Sequence, residues 1–331
     1  MSSIDDFPKI DAHIHFNAGR KQILLLAKNY GFDLLSINTE VPDFPSIQKQ
    51  QNIALTHQKH PTELHYATTI DTENVFQDGW AEQTISKIKA DLANGACGVK
   101  FWKNIGMSIQ RPTGDFLMLD DPELRPVFDF LEQKQIPVLG HQGEPKNCWL
   151  PVEKMTVKSD RDYFSDHPEY HMYRHEEYPD YWRHIEARDS VLNRHPDLNF
   201  VGLHLASLEW SLDEIGQRLD RFPNLAVDLA ERISHLYYHT ANDRSRVVRF
   251  FEEYQDRIIY GTDIIDDPSL QVSEVTDDLK NRWENHWAFF TTKKRLDSPQ
   301  IDQPFRGLDL PDQILTKIYR QNAINWYNLL S

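Results

Sequence analysis

Lys9-Ile10-Asp11-Ala12-His13-Ile14-His15 reads as a short strand carrying two histidines one residue apart. Side chains alternate along a strand, so His13 and His15 share one face while Ile10, Ala12 and Ile14 take the other. Similar runs rich in Val, Ile and Leu follow at 32–38, 64–70, 98–102, 136–141, 199–204, 225–229 and 257–263. Between most of them, at 21–30, 80–93, 122–134, 181–194, 211–221 and 244–254, apolar residues fall three and four apart, the spacing of amphipathic helices. Strand and helix alternating about eight times predict an α/β fold, a parallel sheet closed into one (β/α)8 TIM barrel of about 250 residues before insertions.

At 331 residues the chain exceeds that size. The surplus is expected in loops of a single domain spanning 1–331, with insertions at about 104–120 and 142–181. The first holds a hairpin around Thr113-Gly114-Asp115, and the second is rich in aromatic residues and histidine. Both follow strand ends, on the C-terminal face where such barrels keep their active sites. A composition of 40% hydrophobic and 26% charged residues excludes a disordered chain. The net charge of -15 repels nucleic acid and anionic membranes, which leaves a small molecule as the expected partner and self-association open. Cys97 and Cys148 make neither a disulfide framework nor a cysteine-rich metal site, so the cytoplasm is the expected compartment. The opening residues are acidic, with Pro8, and lack the basic start and apolar run of a signal peptide; no apolar stretch is long enough to span a bilayer.

The chemistry gathers at strand ends. His13 and His15 form half of a shell for a divalent ion, since neutral imidazole nitrogen suits zinc and its neighbours. His141 ends the fifth run, His204 the sixth and Asp263 the eighth, and barrel closure brings those ends to one mouth. Imidazoles and a carboxylate are costly to bury there without partners, so the five together point to a metal site. A bound divalent ion lowers the pKa of its water to about 7 and polarises a carbonyl oxygen. In that chemistry Asp263 takes the proton of the water and passes it to the leaving group, while His204 steadies an oxyanion or serves as a second acid/base. A serine or cysteine nucleophile has no support: no Gly-x-Ser-x-Gly elbow occurs, and Cys97 precedes a strand rather than ending one.

Asp11-Ala12-His13-Ile14-His15, His141, His204, Tyr260-Gly261-Thr262-Asp263 and the closing Gln321-Asn322-Ala323, in that order, resemble the amidohydrolase superfamily. Within it they resemble the amidohydrolase-2 branch, which contains aminocarboxymuconate-semialdehyde decarboxylase, γ-resorcylate decarboxylase and pyrone dicarboxylate lactonase. The resemblance implies a metal-dependent enzyme with one divalent ion held by His13, His15, His141 and Asp263, and with His204 beside it. Zinc is the expected ion and manganese tolerates the same donors. Hydrolysis of a small carboxylated or hydroxylated substrate, such as a lactone or ester, is the favoured reaction; non-oxidative decarboxylation is the alternative on the same shell. A barrel that binds metal without turnover is the alternative of another class, and a closed four-ligand site would mark it.

Lys100, near the end of the fourth run, admits three readings. In binuclear members of the superfamily a lysine on that strand is carboxylated and bridges two metals, and only then is a second metal expected here. Otherwise Lys100 contacts a substrate carboxylate or joins a structural ion pair. Trp102, Glu144, Trp149, Glu209 and Arg232 follow strand ends and are candidates for substrate contact, loop anchoring or ion pairing. Asp228, on the seventh strand, reads as a residue that orients a ligand histidine. His171 and His175, and likewise His235 and His239, have the four-residue spacing of a helical face. The aromatic and charged surroundings of the first pair suit a lid or subunit contact better than a second metal site.

Overall fold

A computed structural model describes residue 4, residues 7–58 and residues 62–329. Residues 1–3, 5 and 6, part of the opening read above as unlike a signal peptide, lie outside them. The strands are β1 (Lys9–His15), β2 (Phe32–Ile37), β3 (Leu64–Thr69), β4 (Ala96–Phe101), β5 (Val138–Gly140), β6 (Phe200–Gly202), β7 (Leu225–Asp228), β8 (Ile258–Ile259) and β9 (Ile264–Ile265). β1 to β8 pair in parallel with their neighbours in chain order, and β9 pairs with β1. β8 and β9 are two pieces of one eighth strand, interrupted by Tyr260-Gly261-Thr262-Asp263. Backbone bonds from Ala12 N to Tyr260 O (3.0 Å), Asp263 N to His13 O (2.7 Å) and Asp266 N to His15 O (2.8 Å) close the ring across the interruption. The fold is a (β/α)8 TIM barrel.

Alternation along the strands divides the apolar core in two. Leu34, Val99, Val138, Phe200 and Val227 face the outer helices, whereas Leu35, Ala67, Leu139, Val201 and Ala226 fill the barrel interior with Ala323 and Tyr327 of the closing segment. Lys100, His141 and Asp228 follow the inward parity of their strands. Strict alternation fails on β1, where the register with β2 slips between Asp11 and Ile14. Ile10 and Ala12 join the interior cluster and Ile14 the outer one. The expected opposition of His13 and His15 to all three apolar neighbours is therefore wrong. The irregularity lets Ala12 fill the interior while both histidines still reach the mouth.

Six helices lie where the sequence periodicity puts them, with differences at the ends. Asp180 caps Tyr181–Arg194, accepting from Trp182 N at 2.8 Å, and Ser211 caps Leu212–Arg221, accepting from Glu214 N at 3.3 Å. The helix read at 244–254 begins at Ile233 and runs to Glu253 with a break at Asp243; Ser234, His235, His239 and Asn242 interrupt its apolar stripe in the sequence. Helix Val272–Thr291 went unread because charges at Asp277, Asp278, Lys280 and Arg282 mask its buried face. That helix matters to the mouth, because Trp283 Nε1 donates to Asp11 Oδ2 at 2.9 Å. At Gln110 and Phe116 the chain forms an antiparallel bridge around a turn with Gly114 at φ +94°. Residues 142–181 pack short helical turns around their own cluster of Cys148, Met155, Phe164 and Met172. Among the described residues no helix is long and apolar enough to cross a membrane.

Asp11, fully buried, also accepts from Thr262 N at 2.9 Å and Thr262 Oγ1 at 2.7 Å. Burial nevertheless raises its pKa to about 6 against those donors. These bonds fix the residue that precedes Asp263. Asp11→Asn keeps the shape but substitutes an amide group for an acceptor of three donors, and should cost about 2–3 kcal/mol. The melting temperature should fall by about 3–4 °C; an unchanged melting curve would contradict this role for Asp11.

Candidate active site

His13 Nδ1 lies 2.6 Å from Asp228 Oδ2, and His15 Nδ1 lies 2.7 Å from the Ile37 carbonyl oxygen. Both partners accept, so both Nδ1 atoms carry the hydrogen, and each ring offers Nε2 on its other side. Those two Nε2 atoms stand 3.0 and 3.2 Å from a single oxygen, Asp263 Oδ1. Donors around an ion at 2.0–2.2 Å are themselves about 3 to 3.5 Å apart, so the trio fits a divalent cation. His13 Nε2 is close to Asp263 yet not aligned for a hydrogen bond, and it is buried without another partner. Among the described residues, His13, His15 and Asp263 are the one group of His, Cys, Asp and Glu close enough to share an ion.

His141 stands just outside that group, its ring centroid 4.2 Å from that of His204, which in turn lies 5.0 Å from His13. Both nitrogens of His141 are buried and neither has a hydrogen-bond partner. An imidazole in that state is expensive unless something else engages it, and an ion held beside His13 and His15 would do so. The structure thus gathers the five residues of the sequence reading at one mouth, three within common reach of an ion and two alongside. His13, His15, His141 and His204 are all buried; Asp263, with a side chain 19% exposed, is the member that meets the outside.

Charge in the site is arranged by burial and by pairs. Burial opposes a proton on His13, but Asp263 and Asp228 outweigh it and raise the pKa to about 9. Burial lowers His15 to about 4 and holds His141 and His204 well below the usual imidazole range. Burial alone would raise Asp263, but His13 above all keeps it ionised, well below the ordinary carboxylate range. A cation bound by Nε2 of His13 would take the place of the proton there. Lys100 is buried beside Asp263 and Asp228, and burial lowers its pKa to about 8.

The backbone at the mouth is unusual. His204, Leu205, Ala206 and Ser207 all have φ near +56 to +59°, and Asp263 has φ +63°. For residues with a Cβ this conformation costs roughly 1–2 kcal/mol each, and it persists where the surroundings over-determine it. Two glycines make room: a Cβ on Gly261 would lie 2.7 Å from His13 Cβ, and one on Gly202 would lie 2.5 Å from Ala206 Cβ. Asp228 serves both ends of the site, accepting from His13 Nδ1 through one oxygen and from His204 N through the other.

Of the softer candidates, Glu144 is ion-paired with Lys103, and Trp149 packs against Tyr181 and His184 at centroid distances of 5.6 and 5.7 Å. Trp102 is partly buried beyond the end of β4. Glu209 is fully buried, with Oε1 accepting from Lys146 N at 2.8 Å and Oε2 unpartnered. The Arg232 Nε is likewise buried and unpartnered, and its charge acts on His204. His171 and His175 bond the Leu150 and Pro168 carbonyl oxygens at 2.8 and 3.2 Å, and His239 bonds the Glu209 carbonyl at 2.8 Å. His235 faces Asp160 at 3.2 Å. The first three anchor loops, and His235 ties its helix to helix Lys158–Asp166. Tyr181 and Arg188, which the sequence marks only as helix residues, both bond the turn that carries His204. The available signal is that Arg188 falls in phase with Tyr181, Ile185 and Leu192, a charge on an apolar stripe.

No curated protein matches the sequence. Solved structures do resemble the fold. A TIM-barrel protein from Bordetella bronchiseptica described as uncharacterised is 17% identical, with TM-score 0.56, over 97% of this chain and 100% of that one. A candidate 2-pyrone-4,6-dicarboxylic acid hydrolase from Pseudomonas putida is 12% identical, with TM-score 0.53, over 97% and 98% of the two chains. The 2,6-dihydroxybenzoate decarboxylase from Rhizobium is 14% identical, with TM-score 0.51, over 97% and 99%. At such identities these likenesses speak for the barrel alone. A family model described as Amidohydrolase matches residues 73–329, a stretch that includes His141, His204 and Asp263 and begins after His13 and His15. By that match over most of its length, the chain belongs to the amidohydrolase family and is an enzyme of that superfamily.

Proposed function

We propose that this amidohydrolase hydrolyses a small carboxylated or hydroxylated substrate, such as a lactone or ester, at the mouth centred on Asp263. The observation that carries the reading is the placement of Asp263. One carboxylate oxygen faces His13 and His15, the other lies 4.0 Å from His204 Nδ1, and the group is ionised and partly open to solvent. His13, His15, His141 and Asp263 are the residues that would hold one divalent ion, zinc or manganese by donor type. Such an ion, when bound, activates water and polarises a carbonyl oxygen.

The remaining work falls to the side chains. Asp263 accepts the proton of the attacking water and returns it to the leaving oxygen, so the carboxylate ends the cycle as it began. His204 Nδ1 lies 2.9 Å from the Ala230 carbonyl oxygen, which can only accept, so Nδ1 carries the hydrogen and Nε2 of the neutral ring is an acceptor. That tautomer suits a second base better than a donor to an oxyanion. Lys100 and Arg232 bring positive charge to a site otherwise crowded with acids, which supports an anionic substrate group, and the free oxygen of Glu209 can accept from a substrate hydroxyl.

A panel of lactones, esters and hydroxylated aromatic acids, followed in parallel by acid release and by carbon dioxide release, tests the reaction. Acid release from a lactone or ester is expected; carbon dioxide as the product would replace hydrolysis with decarboxylation. Asp263→Asn should reduce turnover by about 10² to 10⁴ in a chain whose circular dichroism still shows the folded barrel, and full activity in that variant would overturn the role of Asp263. Asp228→Asn, which weakens the hold on His13 Nδ1, should loosen zinc binding by about 10- to 100-fold in competition with a chromophoric chelator. Unaltered affinity would show that Asp228 does not orient a ligand.

A further inference from the structure

The left-handed turn at His204–Ser207 contains no glycine, and its own bonds, Ser207 N to His204 O at 3.1 Å and Leu208 N to Leu205 O at 3.0 Å, do not explain its hand. The contacts that single it out come from elsewhere. Arg188 Nη1 donates to the Ala206 carbonyl oxygen, and the Tyr181 hydroxyl donates to that of Ser207. Ser207 Oγ in turn donates to the carbonyl oxygen of Gln142, the neighbour of His141, at 2.7 Å. Arg188 is 1% exposed, and Asp189 holds it through Nε and Nη2 at 3.1 and 2.8 Å. Trp210 Nε1 fixes the Tyr181 oxygen from behind at 2.7 Å. A buried guanidinium and a buried phenol, each backed by a second residue, are thus aimed at two consecutive carbonyls of one strained turn.

We propose that Arg188 and Tyr181 are positioning residues for His204, holding the Ala206 and Ser207 carbonyls in the left-handed arrangement that points the imidazole at the Asp263 mouth. A turn relaxed to negative φ would carry the His204 ring away from the Ala230 carbonyl that sets its tautomer. Helix Tyr181–Arg194 thereby acts on the reaction without touching the reacting atoms. The inference rests on the reading of His204 as a reacting residue.

The test uses the full chain labelled with ¹⁵N-histidine, in which the His204 Nδ1 proton is assigned by its absence in His204→Asn. Tyr181→Phe removes one donor and keeps the ring; Arg188→Lys keeps the charge and loses the aim of the guanidinium. In each, the His204 proton should shift and exchange with solvent at least about tenfold faster, while the Nδ1 proton of His195, bonded to Glu132 at 3.0 Å, stays put. Adding Ala206→Gly to Arg188→Lys should restore the His204 signal, because glycine accepts positive φ freely. If both single variants leave the His204 proton within twofold of the parent, or if His195 moves with it and glycine restores nothing, the positioning role is overturned. Turnover of a panel substrate that survives His204→Asn would instead remove the reading of His204 and leave the positioning result intact.

Discussion

The mouth of this barrel depends on how its last strand is tied to its first. Asp11 turns away from the interior, takes three donors from Thr262 and Trp283, and so locks the residue before Asp263 against β1. On the same stretch Gly261 lets the backbone approach His13 more closely than any side chain would permit. The distances of 3.0 and 3.2 Å from Asp263 to the two histidines follow from that lock, since Asp263 N also bonds the His13 carbonyl oxygen at 2.7 Å. Ion binding, proton transfer and access all inherit their geometry from this seam.

Around the seam the protein buries more charge than a core normally tolerates and balances it locally. Asp228 and Asp263 face His13, and Lys100 lies between their fields. Isolated burial of any one of these groups would be costly, and removing one partner strands the other. The neutral histidines, His15, His141 and His204, are neutral because burial makes them so, which keeps their nitrogens available as ligands or bases. A site of this kind trades stability for chemistry, and the left-handed backbone at His204–Ser207 and Asp263 is part of the same trade.

Much of this was legible in the sequence because strand periodicity and chemistry coincide. His13, His15, His141, His204 and Asp263 sit at or just beyond the ends of apolar runs, and parallel closure puts such ends together. Asp228 was readable for the same reason, as an inward carboxylate on β7. The slip on β1 was not, since a break in alternation shows only in the pairing with β2. Helix Val272–Thr291 escaped because its exposed charges outweigh its buried Trp283 and His286 in any simple periodic count. The clamps from Tyr181 and Arg188 were hidden for a deeper reason. They bind backbone carbonyls, and nothing in the identity of Ala206 or Ser207 announces that the chain there will turn left-handed.

Everything proposed for the mouth requires that the histidines and Asp263 form one cation site. Metal content per chain settles it most directly, measured by mass spectrometry on protein purified without chelators or a metal-binding tag. One equivalent of a divalent first-row ion is expected. Two equivalents would point to a carboxylated Lys100 and a binuclear centre, and a chain free of metal that nevertheless turns over substrate would rule out the cation site altogether.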